Sequence, residues 1–178
     1  MLQVKSPYDE SLIKEIPLVG KAEVETALSV AYILEKAAAI MKVRFEELAK
    51  VAAQEGGKPL MDSKAEVLRA INGVKLAAEH IGQLKGEQIP MGLTKAAENR
   101  IAFTTREPIG VVASVSAFNH PLNLIVHQVA TAVAAGCPVI VKPALTTPLS
   151  CLAFVEILKE AGLPDGWCHA VVCDNDVA

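Results

Sequence analysis

The chain has 178 residues, of which 52% are hydrophobic, with a mean hydropathy of +0.35 and a formal charge of -3 from 17 Lys and Arg against 20 Asp and Glu. That length allows one ordinary domain with a sizeable core, and the apolar excess implies surface that suits a partner. The acidic balance gives no basic footprint for nucleic acid or an anionic membrane. No apolar run reaches spanning length, and Met1-Leu2-Gln3-Val4-Lys5 lacks the basic-then-apolar order of a signal peptide, so the cytoplasm is the expected compartment.

From the N-terminus, Val4 to Pro17 read as an extended segment, with a turn at Ser6-Pro7-Tyr8-Asp9 and a short strand over 11–16. Three helices are predicted next. The first, 21–31, is short. Leu34, Met41, Phe45, Leu48 and Ala52 then share one face of a second helix, which Gly56-Gly57 stops. The third begins near Ser63, with Glu66 at capping-box spacing and Val67, Ile71, Val74 and Ile81 as its buried stripe. Many alanines on these faces favour close packing, so the segment reads as a helical layer covering a sheet. The helical pattern ends at Gly86. Residues 100–105 then alternate polar and apolar like a half-exposed strand, as an ordinary surface hairpin would.

The run 109–115 is apolar, β-branched and too short for a core helix, so it reads as a buried strand. A helix from Pro121 follows, with Leu124, Ile125, Gln128, Val129, Ala132 and Val133 at helical spacing and Gly136 as the stop. Residues 138–142 form a second strand. Two apolar strands joined by one helix make a right-handed βαβ unit whose strands end on one edge of the sheet, the edge where open α/β sheets bind ligands. Asn119 and Lys142 lie at those strand ends and are therefore candidate site residues. Thr147 as N-cap and Pro148 at the first position open a further helix that buries Leu149, Leu152, Ala153, Val155, Ile157 and Leu158. Gly162 and Pro164 end it, and a third strand over 168–172 completes β-α-β-α-β. The expected class is α/β, a Rossmann-like half-sheet with an N-terminal helical layer. No GxGxxG occurs.

Cys137, Cys151, Cys168 and Cys173 form no CxxC pair and have no His at zinc spacing, so no metal site is expected and the thiols read as structural. Only Cys151 has a rival claim as a nucleophile: a helix N-terminus lowers a thiol pKa, while burial beside Leu152 and Phe154 raises it. His80, His127 and His169 are isolated.

Three ordered blocks carry a family resemblance: Glu107-Pro108-Ile109-Gly110-Val111-Val112, Phe118-Asn119-His120-Pro121-Leu122, and Ala135-Gly136-Cys137-Pro138-Val139-Ile140-Val141-Lys142-Pro143-Ala144. In order, spacing and residue type they resemble the aldehyde dehydrogenase superfamily. Weaker similarity extends from Ser6-Pro7-Tyr8-Asp9 through Gly56-Gly57-Lys58-Pro59-Leu60 to Ala161-Gly162-Leu163-Pro164. Members are much longer, with their nucleophilic cysteine and general-base glutamate further along, so this chain resembles the N-terminal portion only, an incomplete fold of that family.

The resemblance implies NAD(P)-dependent oxidation of an aldehyde through a cysteine thiohemiacetal, and the family binds its dinucleotide without the glycine fingerprint. Residues 1–178 would be the N-terminal part of the coenzyme-binding domain, and 86–106 an oligomerisation arm of a homo-oligomer. Asn119 would be the neutral donor that stabilises the thiohemiacetal oxyanion, and His120 a ring placed for packing or a proton carrier. Lys142 would hold the adenosine ribose. Val115, Ser116 and Ala117 would line the same groove by backbone approach, with Phe118, and Pro143, Ala144 and Leu145 would complete it. Leu145 stands where NAD-preferring relatives commonly place a glutamate, which implies that NADP serves at least as well as NAD.

Two departures accompany the match. The connection between the first two helices is shortened at Tyr32-Ile33-Leu34, and Cys173 and Asn175 stand where relatives have glycines. Two other readings are open: a relative that reduces an acyl phosphate or acyl-CoA, and a non-catalytic coenzyme-binding or subunit-binding module.

Overall fold

The computed structural model describes residues 2–5, 12–16, 21–174, 176 and 177, and side chains from Ser29 onward. Asn175 and the Ser6-Pro7-Tyr8-Asp9 turn lie outside the described residues. β1 (Leu2–Lys5) and β2 (Leu12–Ile16) pair antiparallel.

α1 spans Lys21–Val43 without interruption, and α2 follows over Phe45–Gly56. This corrects two expectations. The chain does not break near Tyr32: that stretch holds no glycine or proline, and Leu34-Glu35-Lys36-Ala37-Ala38 are strong helix formers, so propensity carries the helix through. The break falls at Arg44, which pairs with Glu47 at 2.7 Å and approaches Glu160 at 3.8 Å. The apolar face read as one helix is thus divided between two, with Leu34 and Met41 on α1, and Phe45, Leu48 and Ala52 on α2. Gly57 ends α2 as expected.

α3 spans Leu60–His80, with Pro59 as its N-cap residue. Ser63 and Glu66 are not a capping box: both lie inside the helix, and both are buried. Val67, Ile71 and Val74 form the buried stripe as expected, while Ile81 sits half-buried on a 3-10 turn. Between the helical layer and the sheet, β3 (Gln88–Ile89) and β4 (Ala102–Phe103) form a short antiparallel ladder. At its base a Cβ on Gly86 would lie 1.5 Å from the Thr104 carbonyl oxygen, so only glycine permits that approach.

β5 (Val112–Val115), α4 (Pro121–Ala134), β6 (Val139–Lys142), α5 (Leu149–Ala161) and β7 (Cys168–Ala170) form the β-α-β-α-β half. The strands are parallel, in the order β5-β6-β7. Both helices lie on one face, against Ser114, Val139, Val141 and Cys168, while Ala113, Val115, Ile140 and His169 on the other face are exposed. α4 packs most heavily on α3. Gly73 marks the close approach, since a Cβ there would come within 3.1 Å of Val126 Cγ1.

The buried stripe of α4 is broader than expected. Leu122, Val126 and Ala130 are buried with Ile125, Val129 and Val133, whereas Leu124, Gln128 and Ala132 are half-buried. A helix wedged between α3 and the sheet buries more than one stripe. Gly136, at φ +79°, turns the chain out of α4 beside Pro108. For α5, Pro148 occupies the cap position and Thr147 makes no cap bond, its buried hydroxyl having no partner among the described residues.

Candidate functional site

The parallel register sets Val115 beside Lys142, and the Ser116 N–H donates to the Lys142 carbonyl oxygen at 3.1 Å. Residues 115–118 and 142–145 therefore run side by side where the two strands end. Ser116 and Pro143 are buried and form the floor, Lys142 and Ala144 are half-buried, and Val115, Ala117, Phe118, Asn119 and Leu145 are exposed. The result is a strip whose exposed side chains include the apolar Val115, Ala117, Phe118 and Leu145, with Lys142 at the end of β6 and Asn119 just beyond β5. That donor set suits a ligand with flat apolar parts joined by hydroxylated or phosphorylated sugar. Gln128 braces the strip from α4, accepting from Ser114 Oγ and donating through Nε2 to the Val115 carbonyl at 3.1 Å. Cys173 is half-buried beyond the end of β7.

Asn119 lies in the bend between β5 and α4. The structure ties this bend to the helical layer through Lys58 and Glu66, to which the sequence assigned no part in the site. Lys58, in the turn before α3, donates from Nζ to the Asn119 carbonyl at 3.1 Å and pairs with Glu66. Glu66 Oε1 accepts from the backbone N–H of Leu122 at 2.9 Å and of Asn123 at 3.1 Å. His120 Nδ1 lies 3.5 Å from both Lys58 Nζ and Glu66 Oε2. The Glu66 side chain is fully buried, which its partners make tolerable. A signal for Glu66 existed: it falls within the apolar stripe of α3, one residue before Val67, where a solvated glutamate has no place. Glu55 on α2 does the same for α5, accepting from the N–H groups of Leu149 at 2.7 Å and Ser150 at 2.9 Å. It supplies the cap that Thr147 does not.

The profile of the aldehyde dehydrogenase family matches residues 1–178. The 3-sulfolactaldehyde dehydrogenase of Priestia aryabhattai is 36% identical over 188 residues, covering 98% of this chain and 39% of that protein. The chain belongs to the aldehyde dehydrogenase family. A lactaldehyde dehydrogenase from Methanocaldococcus jannaschii is 34% identical over 90% of this chain and 37% of its own length. Among solved structures, glyceraldehyde-3-phosphate dehydrogenase GapN from M. jannaschii, complexed with NADP, superposes with a TM-score of 0.77 at 31% identity, over 99% of this chain and 42% of that one. Aldehyde dehydrogenase 21 from Physcomitrella patens, in complex with the product succinate, gives 0.78 at 34% identity over 98% and 40%. The chain thus spans about two fifths of the length of these family members.

Within this aldehyde dehydrogenase segment the thiols are poor nucleophiles. Cys137, Cys151 and Cys168 are buried. Burial pushes the Cys151 thiol up to about 12, with Cys168 and Glu55 adding to the rise. Burial likewise raises Cys168 to about 11, against the opposing charge of Lys159. The expectation of structural thiols stands, and the helix end near Cys151 does not activate it. Iodoacetamide at pH 8 should therefore label Cys173 in the native fold and spare Cys151 and Cys168, as read by peptide mass spectrometry; rapid labelling of Cys151 would refute its burial. Unfolded thiols ionise near pH 9.0, so between there and pH 11 to 12 the native state holds more protons. Stability is present below pH 9 and declines as pH rises through that window.

Proposed function

We propose that this segment supplies the oxyanion donor and the coenzyme-ribose contacts of an NAD(P)-dependent aldehyde dehydrogenase that oxidises an aldehyde to a carboxylic acid, with the nucleophilic cysteine and general-base glutamate outside residues 1–178. One observation carries the reading: Lys142 ends β6 and Asn119 lies just beyond the adjacent parallel strand β5, so both sit at the C-terminal edge of the sheet, beside the strip made by residues 115–118 and 142–145. Among structural neighbours both coenzymes occur, NADP with GapN and NAD with an enzyme from Sinorhizobium meliloti. The coenzyme, when bound, accepts a hydride.

In this scheme attack of the thiolate on the aldehyde carbon leaves negative charge on the carbonyl oxygen. The Asn119 carboxamide donates to that oxygen without changing its own protonation. Lys142 donates to a ribose hydroxyl, Val115, Ser116 and Ala117 line the groove by backbone, and Phe118, Pro143, Ala144 and Leu145 exclude water around it. The assay is coenzyme reduction by a catalytically complete enzyme carrying this segment, with a panel of short aldehydes and quantified carboxylate. Equimolar carboxylate and reduced coenzyme are expected. A requirement for phosphate or CoA, with an acyl phosphate or thioester as product, would instead select the reductase reading.

Coenzyme choice follows from Leu145, which is 45% exposed in the turn after β6. An apolar residue there gives up charge-assisted hydrogen bonds to the ribose hydroxyls of NAD, worth roughly 1.5 to 3 kcal/mol when desolvated. It also spares a 2′-phosphate the repulsion of a carboxylate, about 3 kcal/mol at about 5 Å and an effective dielectric near 20, less after screening at so open a position. The enzyme is expected to use NADP at least as well as NAD, and Leu145→Glu to move the kcat/KM ratio toward NAD by roughly 10- to 100-fold. A strong NAD preference unaltered by Leu145→Glu would show that Leu145 does not meet the ribose.

The ladder of β3 and β4 is proposed as part of an arm, residues 86–106, that joins subunits of a homo-oligomer. Its support is a two-stranded ladder with exposed apolar side chains on it and in the segments beside it: Phe103 on β4 is 54% exposed, Ile101 just before it 76% and Leu93 in the connection 92%. Ile101→Asp with Phe103→Asp should lower the mass of the intact enzyme in sedimentation; unchanged mass would place the interface elsewhere. No helix among the described residues is long and apolar enough to cross a membrane. The proposed compartment is the cytoplasm, supported by four cysteines that are all free thiols.

A further inference from the structure

We propose that Lys58 and Glu66 are positioning residues for Asn119, forming a charge-assisted tether that runs from the helical layer to the β5–α4 bend and fixes the carboxamide in place. The tether's catalytic role rests on the reading of Asn119 as oxyanion donor. Phe118 and Asn119 are exposed, and the first buried residue after the bend is Pro121, so side-chain packing does not hold residues 118–120. The hold comes from Lys58, whose ammonium reaches the Asn119 carbonyl across 61 residues of sequence.

That ammonium is itself fixed. It pairs with the fully buried carboxylate of Glu66, and the Lys58 side chain is only 16% exposed. Through Oε1 the same carboxylate holds the first two N–H groups of α4, those of Leu122 and Asn123; Pro121 has none to offer. His120 Nδ1 stands 3.5 Å from Lys58 Nζ and can accept a further N–H when unprotonated. Residue 119 is thus gripped at its own carbonyl on one side and through the start of α4 on the other. A preorganised donor works only within a fraction of an ångström of its place, since a displacement of about 1 Å can cost on the order of 100-fold. Neither Lys58 nor Glu66 needs to touch substrate. Their charges act by holding the bend.

A catalytically complete enzyme carrying this segment tests the tether through a mutant cycle. The double variant Lys58→Met with Glu66→Gln removes the ammonium without stranding a buried charge, and the glutamine oxygen can still accept from Leu122 and Asn123. It should lower kcat by roughly 10- to 100-fold and leave the KM for coenzyme unchanged. Lys58→Arg, which keeps the charge and donors, should recover most of the loss. In an Asn119→Ala background the double substitution should have no further effect. If the double variant fails to fold, Glu66→Gln alone enters the same cycle, with a thermal midpoint measured for each protein. Full loss in both backgrounds, or an unchanged kcat while Asn119→Ala is impaired, overturns the tether and leaves the donor reading intact. An unimpaired Asn119→Ala removes the donor reading, and the tether's catalytic role with it.

Discussion

Replacing Asn119 with alanine should lower the kcat of a catalytically complete enzyme carrying this segment by about 100- to 1000-fold, equivalent to about 2.7 to 4 kcal/mol of transition-state stabilisation. The size follows from what the carboxamide does. It is neutral, it sits in the bend between β5 and α4, and among the described residues its side chain donates to no other group, so nothing there competes with a developing oxyanion. Coenzyme KM should not change, because the ribose contacts are assigned to Lys142 on the neighbouring strand. Asn119→Asp should be worse than alanine, since it sets a like charge against the oxyanion. A kcat within threefold of wild type for Asn119→Ala would sink the assignment and leave Asn119 as a turn residue.

The second large effect is on stability. Glu66→Ala should cost about 3 to 5 kcal/mol, because it strands the half-buried Lys58 ammonium and removes the acceptor of two backbone N–H groups at the start of α4. For a cooperative unit of this size that is a fall of about 6 to 20 °C in unfolding midpoint. Glu66→Gln should lose distinctly less, since an amide oxygen can still accept from Leu122 and Asn123. Equal midpoints for wild type and Glu66→Ala, by differential scanning calorimetry, would mean that α4 is capped some other way.

The contrast between these residues explains what the sequence made legible. Asn119 and Lys142 stood out because two short apolar runs joined by one helix dictate a parallel pair with a common ligand edge, a purely local inference. α4 and β6 followed from the same periodicities. The run at 109–115, however, is a strand only over Val112–Val115 and leaves Ile109, Val111 and Val115 exposed, because the described helices cover only one face of the sheet. In α5, Leu149 and Leu152 are exposed while Phe154 and Ala161 are buried. Glu66 and Glu55 were hidden because their partners lie 56 and 94 residues away, respectively, at helix ends where no side chain announces the need. Local rules then supplied substitutes, a capping box for Glu66 and Thr147 as an N-cap, and tertiary contacts displaced both. The expected break near Tyr32 came from reading two separate helical patterns, whereas the propensity of Leu34-Glu35-Lys36-Ala37-Ala38 carries α1 through to Val43.

The two glutamates that cross from one layer to the other also bear on the missing glycine fingerprint. A phosphate settles on a helix end when the end presents vacant N–H groups and a positive pole, and a glycine-rich turn exists to let it approach. Here both ends nearest the sheet edge are plugged. At α4, Pro121 offers no hydrogen and Leu122 and Asn123 already give theirs to Glu66; at α5, Leu149 and Ser150 give theirs to Glu55. A pyrophosphate brought to either would find a carboxylate in residence and be repelled by it. Glycines after β5 would therefore serve no phosphate, and that turn is left free to carry Phe118, Asn119 and His120.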